Sequence, residues 1–151
     1  MVWNRDEVNA HRGRKLARRL ALQALYQLQL NSRSWQDTHQ QFAEDPEAER
    51  VDRDYFLELI SAIAPARAAL DERLASLCEI PPGELDPIEH AVLWVGLHEL
   101  ESHPELPYRV AIDEAVQLAK QFGATDGHKF VNAVLDRAAK ELRPHEYGTQ
   151  P

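Results

Sequence analysis

Apolar side chains recur at spacings of three and four along almost the whole chain, and nowhere alternate with polar ones over the length of a strand. This pattern constrains the fold more than any other feature. It lays one apolar stripe along a helix but would scatter the same residues over both faces of a strand. No Asn-Gly or Asp-Gly hairpin lies between strand-like runs. The expected fold class is therefore all-α.

The punctuation sets the helices. A first helix is expected from about His11 to Leu30, with Leu16, Ala17, Leu20, Ala21, Ala24, Leu25 and Leu28 on one arc and His11, Arg12, Arg14, Lys15, Arg18 and Arg19 on the other. A second starts near Ser34, and the charged stretch 44–50 with Pro46 reads as a loop. Val51, Tyr55, Phe56, Leu59, Ile60 and Ile63 predict a third helix that Pro65 must end or kink. Leu70, Leu74 and Leu77 continue the stripe to Cys78, and Pro81-Pro82-Gly83 breaks it, which places the expected subdomain boundary near 80–85. Asp86-Pro87-Ile88-Glu89 reads as a capping box opening the next helix. Two more follow, from about Arg109 to Phe122 with Gly123 behind it, and from Asp126 as N-cap to the stop at Pro144. This divides the chain into a flexible basic segment at 1–11, a helical domain at 12–144 and a loose tail at 145–151.

The 151 residues suffice for a core without disulfides or a structural metal. A single cysteine, Cys78, excludes an intrachain disulfide and fits a reducing, cytoplasmic setting. Asp6 and Glu7 and the lack of an apolar stretch argue against a secretory signal, and no apolar run reaches the roughly 20 residues that span a bilayer. The net charge of −8 is uneven: residues 1–20 carry +4 and the remainder −12. A local anionic ligand at the basic end follows, while the acidic remainder could face a basic protein or serve solubility alone.

The basic arc of the first helix is the best functional feature. Several cations on one helical face can neutralise phosphates and release counterions; the alternative is an ordinary solvated face. Lys120, Phe122, Lys129 and Phe130 bracket a second feature, a short turn where charges and rings could grip single-stranded RNA, although the two phenylalanines taken alone suit the core better. His90, Trp94, His98 and Glu101 share one helical face without metal-chelating spacing, and read as an exposed or partner-contacting face. Adjacent acids such as Asp71–Glu72 read as solvated. No nucleophile elbow, P-loop, dinucleotide-binding glycine pattern or Cys-x-x-Cys is present, so neither an enzyme nor a metal or cofactor site is expected.

Three blocks, in order and spacing, resemble the NusB family: 18–27 (Arg18-Arg19-Leu20 to Gln27), 107–123 (Pro107-Tyr108-Arg109 to Gly123) and 128–136 (His128-Lys129-Phe130-Val131-Asn132 to Asp136). The resemblance covers about residues 12–144. It implies two packed three-helix bundles with an additional helix. It also implies a transcription antitermination factor that binds the boxA element of nascent ribosomal RNA transcripts together with NusE, a small-subunit ribosomal protein, in a complex with RNA polymerase. By motif match, Arg14, Lys15, Arg18, Lys120, Phe122, Asp126, Lys129 and Phe130 would lie near the RNA, and Tyr26, Glu84, Glu89 and Trp94 on the NusE side. Leu16 and Ala17 interrupt the basic run where relatives often have a denser arginine cluster. Asp113 replaces a usual asparagine, and Trp94 stands where a basic residue often sits. The alternative is a helical protein–protein adaptor, or a self-associating regulator, without RNA binding.

Overall fold

Asn4 opens the first helix: its side-chain oxygen accepts the Glu7 N–H at 2.8 Å, and Asp6 and Glu7 place negative charge in the first turn. The computed structural model describes residues 3–148. Among them every regular element is helical, with seven α-helices, three 3-10 turns and no strand, which is the all-α class expected. The chain divides into two compact units between Pro65 and Ala66.

In the first unit, α1 (Arg5–Leu30), α2 (Trp35–Ala43) and α3 (Arg53–Ile63) pack mutually as a three-helix bundle. Ala17, Leu20, Ala21, Ala24, Leu25 and Leu28 of α1 are buried, as are Phe56, Leu59, Ile60 and Ile63 of α3. Ser34 caps α2 and Asp52 caps α3, accepting the N–H groups of Asp37 at 3.1 Å and Tyr55 at 3.0 Å. The stretch read as a loop is instead partly ordered as a 3-10 turn, Pro46–Arg50, with Asp45 accepting the Glu47 N–H. Gly13 lets this turn approach α1. The Asp52 N–H donates to the Gly13 carbonyl at 3.0 Å, and a Cβ on Gly13 would lie 3.3 Å from that same nitrogen.

In the second unit, α5 (Pro87–Ser102) is central. It packs against α6 (Tyr108–Phe122) and α7 (Gly127–Leu142), with α4 (Arg67–Leu77) alongside, and every residue from Glu89 to Leu100 is buried. A helix apolar on all sides needs neighbours on all sides. Gly96 admits one of them: a Cβ there would meet Leu135 Cδ1 at 2.6 Å and the Ala115 Cβ at 3.4 Å. Arg143 closes the far end of α5. Its guanidinium donates to the carbonyls of Leu100 (2.9 Å), His103 (2.9 Å), Leu106 (3.0 Å) and Glu99 (3.3 Å) and to Glu146 (2.7 Å). The Leu100 carbonyl is one that a helix end leaves without a backbone partner, whereas those of Glu99 and His103 also accept the N–H groups of His103 and Leu106 at 3.0 Å.

The boundaries differ from expectation in three places. Helix α1 begins at Arg5, inside the segment read as a flexible 1–11 arm, because Asn4 caps it. The compact units part at Pro65, whereas the Pro81-Pro82-Gly83 break separates α4 from α5 within the second unit. Helix α4 belongs there because Arg137 of α7 donates to the Leu77 carbonyl and Asp71 bonds residues of α5. Residues 145–148 are tied down: Glu146 accepts the Tyr108 N–H at 2.7 Å, the Tyr147 hydroxyl donates to Asp136 at 2.8 Å, and the Gly148 N–H donates to the Tyr108 hydroxyl at 3.1 Å. The rest of the tail, 149–151, lies outside the described residues.

Candidate nucleic-acid interface

In the first unit the cationic side chains of α1 separate into two groups. Asn9, Arg12, Lys15 and Leu16 line a cleft of about 580 Å³ whose remaining wall is Arg50, from the 3-10 turn that Gly13 admits. Among the described residues, the guanidinium groups of Arg12 and Arg50 have no carboxylate partner, and both residues are exposed. Three cations around one concave surface make a field that favours a polyanion, on a chain whose total charge is −8. The second group lies over Tyr55 of α3. The Arg14 guanidinium carbon is 4.5 Å from the ring centroid and that of Arg18 is 5.5 Å. Arg14 is half-buried and Arg18 is only 2% exposed. The helical wheel placed Arg18 on the outer arc; the Tyr55 ring covers it. Leu16, assigned to the core arc, instead lines the cleft. Arg50 was missed because nothing in its local sequence shows that a turn far along the chain would return to the basic helix.

In the second unit the α6–α7 turn carries the other group. Lys120, Asp126 and Lys129 are exposed, whereas Phe122 and Phe130 are half-buried. Asp126 does not cap α7 with its side chain, contrary to expectation. Its backbone is left-handed (φ 54°), and its carboxylate reaches outward to the Lys129 ammonium at 3.3 Å. The turn is instead held from α5. Glu89 Oε1 accepts the Ala124 N–H at 3.1 Å. Asp86 caps α5 as expected, accepting the Ile88 N–H at 2.8 Å and the Glu89 N–H at 3.3 Å, but the Glu89 side chain leaves the capping box to reach the turn. Burial first, and the neighbouring Asp86 carboxyl second, push the Glu89 carboxyl above the usual glutamate range. Its hydrogen bond with Glu89 holds Asp86 low.

The residues assigned to a protein partner are placed unequally. Tyr26 in the first unit is half-buried, and Glu84, in the 3-10 turn Pro82–Glu84 of the second, is exposed. Glu89 (4% exposed) and Trp94 (3%) are not surface groups. The face of His90, Trp94 and His98, read as exposed or partner-contacting, is buried. Asp71 of α4, read as solvated, explains two of its members: it accepts the Trp94 indole N–H at 2.8 Å and bonds His90 Nε2 at 2.6 Å. An unexpected tryptophan in α5 is thus matched by an acid in α4.

The NusB family model matches residues 15–140, most of the chain. The chain belongs to the NusB family. Proteins named transcription antitermination protein NusB are similar to it over nearly their whole lengths. That of Idiomarina loihiensis is 47% identical over 131 residues, covering 87% of this chain and 94% of its own. That of Methylobacillus flagellatus is 44% identical, covering 91% and 90%. Among solved structures, T. maritima NusB superposes with a TM-score of 0.75 at 26% identity, covering 84% of this chain and 90% of that one. Membership in the NusB family makes the chain a transcription antitermination protein. Among its described residues, no helix is long and apolar enough to cross a membrane.

Proposed function

We propose that this NusB-family protein binds single-stranded boxA RNA of nascent ribosomal transcripts together with NusE, in the cytoplasm, as part of an antitermination complex with RNA polymerase. It acts by binding alone, without catalysis. The observation that carries the RNA reading is the cleft lined by Arg12, Lys15 and Arg50, a concentration of positive charge on an acidic protein. Backbone phosphates would lie against these cations, with Arg14 and Arg18 beside them over Tyr55. The α6–α7 turn would supply the features of single-strand recognition: exposed Lys120 and Lys129 for the backbone, half-buried Phe122 and Phe130 for stacking, and the Asp126 carboxylate for a base edge. Tyr26 and Glu84, the accessible members of the partner set, would meet NusE. Glu89 and Trp94, assigned to the same partner, are buried.

Fluorescence anisotropy of a labelled boxA RNA and a scrambled control, with and without NusE and at two salt concentrations, tests this. Tighter binding of boxA, strengthened by NusE and weakened by salt, is expected. Absence of any boxA preference with NusE present would refute it. Self-association without RNA binding in sedimentation would then favour the adaptor alternative.

A further inference from the structure

Glu89 occupies an unusual position for a carboxyl group. It lies in the first turn of α5, 4% exposed, and its side chain is directed into the backbone of the α6–α7 turn 35 positions further along the chain. Oε1 accepts the Ala124 N–H at 3.1 Å. The turn is built to admit it. A Cβ on Gly127 would lie 1.7 Å from Oε1, and a Cβ on Gly123 would lie 2.7 Å from it. No side chain at Gly127 is compatible with the carboxyl where it stands. Neither glycine has a positive φ, and Gly127 is required for space for this group, whereas a Cβ on Gly123 would also lie 2.7 Å from the Ala119 carbonyl oxygen.

We infer that Glu89 is a positioning residue for RNA binding: it fixes the backbone of 123–127 and thereby sets Asp126, Lys129 and Phe130 relative to Lys120 and Phe122. The inference rests on the reading that this turn contacts RNA. It departs from a direct contact between Glu89 and a protein partner, which its burial disfavours. Aspartate is one methylene too short to reach the turn. Glutamine keeps the accepting oxygen and the shape, and its neutral amide stands in for a carboxyl that burial and Asp86 already press toward protonation.

The test uses the full chain with Glu89→Ala, Glu89→Gln, Gly127→Ala and the double variant Glu89→Ala/Gly127→Ala. Thermal melts establish folding, and amide hydrogen exchange is followed at Ala124. Affinity is measured for boxA RNA without NusE. Glu89→Ala should expose the Ala124 amide to exchange and weaken RNA binding about tenfold, the effect of losing one buried hydrogen bond. Glu89→Gln should restore both. Gly127→Ala should weaken binding in the wild-type background but add little to Glu89→Ala, because the clash it creates is with the side chain already removed. If wild type binds RNA and folded Glu89→Ala binds it equally while losing only affinity for NusE, Glu89 is a partner contact and the inference is wrong. If wild type binds no RNA, the parent reading fails and the RNA role of Glu89 fails with it. The exchange at Ala124 still reports whether Glu89 holds the turn.

Discussion

Replacing Arg12 and Arg50 together by glutamine tests the basic cleft without inverting its charge or removing a packed side chain, since both residues are exposed. The size of the effect follows from the geometry. Each cation that displaces counterions from a single-stranded polyanion adds about 0.7 to the slope of log affinity against log salt. Arg12, Lys15 and Arg50 line the cleft, so the three together contribute roughly 2 to the slope and the double variant loses about 1.4 of it. Between about 50 and 200 mM salt, wild-type affinity should therefore fall about sevenfold more steeply than that of the variant. The assay is anisotropy of boxA RNA over four salt concentrations, with Arg33→Gln as control. Arg33 lies in a different groove with Asp37 and Glu44, its guanidinium donating to the Gln41 side chain at 3.0 Å, and its loss should leave the slope unchanged. Weaker binding with an unchanged slope would mean that the variant altered shape and not phosphate contacts. An unchanged affinity and slope would remove RNA from the cleft altogether.

Other perturbations probe the scaffold. Arg143→Ala leaves the Leu100 carbonyl without its donor in a buried setting and removes the guanidinium that ties α5 to Glu146, and should cost about 3 kcal/mol or more, a fall in Tm of roughly 10 °C; a melt within a few degrees of wild type would contradict this. Gly96→Ala gains about 1 kcal/mol of helix propensity but drives a Cβ into the fully buried Leu135. Overpacking of about 1–3 kcal/mol should prevail, and denaturant titration should show net destabilisation. Burial pushes the Glu146 carboxyl up, but the Tyr108 N–H and the Arg143 guanidinium outweigh it and hold the carboxyl below the usual glutamate range. Its contribution to stability is therefore present above that range and is lost as pH falls through the lowered value. Glu146→Gln should flatten the acid limb of the stability–pH curve, and an unaltered limb would refute the assignment.

The helices were legible because their signals are local: apolar periodicity, prolines, and the capping box at Asp86. What the sequence misplaced depends on distant packing. Pro65 and Pro81 are equally strong breaks, and only the bonds of α4 to α5 and α7 show that the first of them separates the units. Arg18 reads as outward on a helical wheel, which has no knowledge of Tyr55. Trp94 and His90 read as a free face, since their shared acceptor Asp71 sits on another helix. Arg50 sits in a stretch whose charge and proline suggested only a loop, and its place in the cleft depends on Gly13.

The α6–α7 turn could be located by resemblance but not understood by it. The blocks ending at Gly123 and beginning at His128 mark where the turn lies, and its side chains were assigned by residue type. Its geometry has another source. Asp126 supplies no side-chain cap, and Gly127 is left without a Cβ because a carboxyl from α5 fills that space. A buried acid in an amphipathic sequence ordinarily counts against a helix assignment or calls for a charged partner. Here Oε1 has a backbone N–H as its partner, Oε2 is buried without one among the described residues, and burial raises the pKa of the carboxyl. Glu89 therefore resembles a helix-capping residue when read along α5, and a surface contact when judged by its charge. Only the distance to Ala124 and the two glycines around it show that it belongs to the turn.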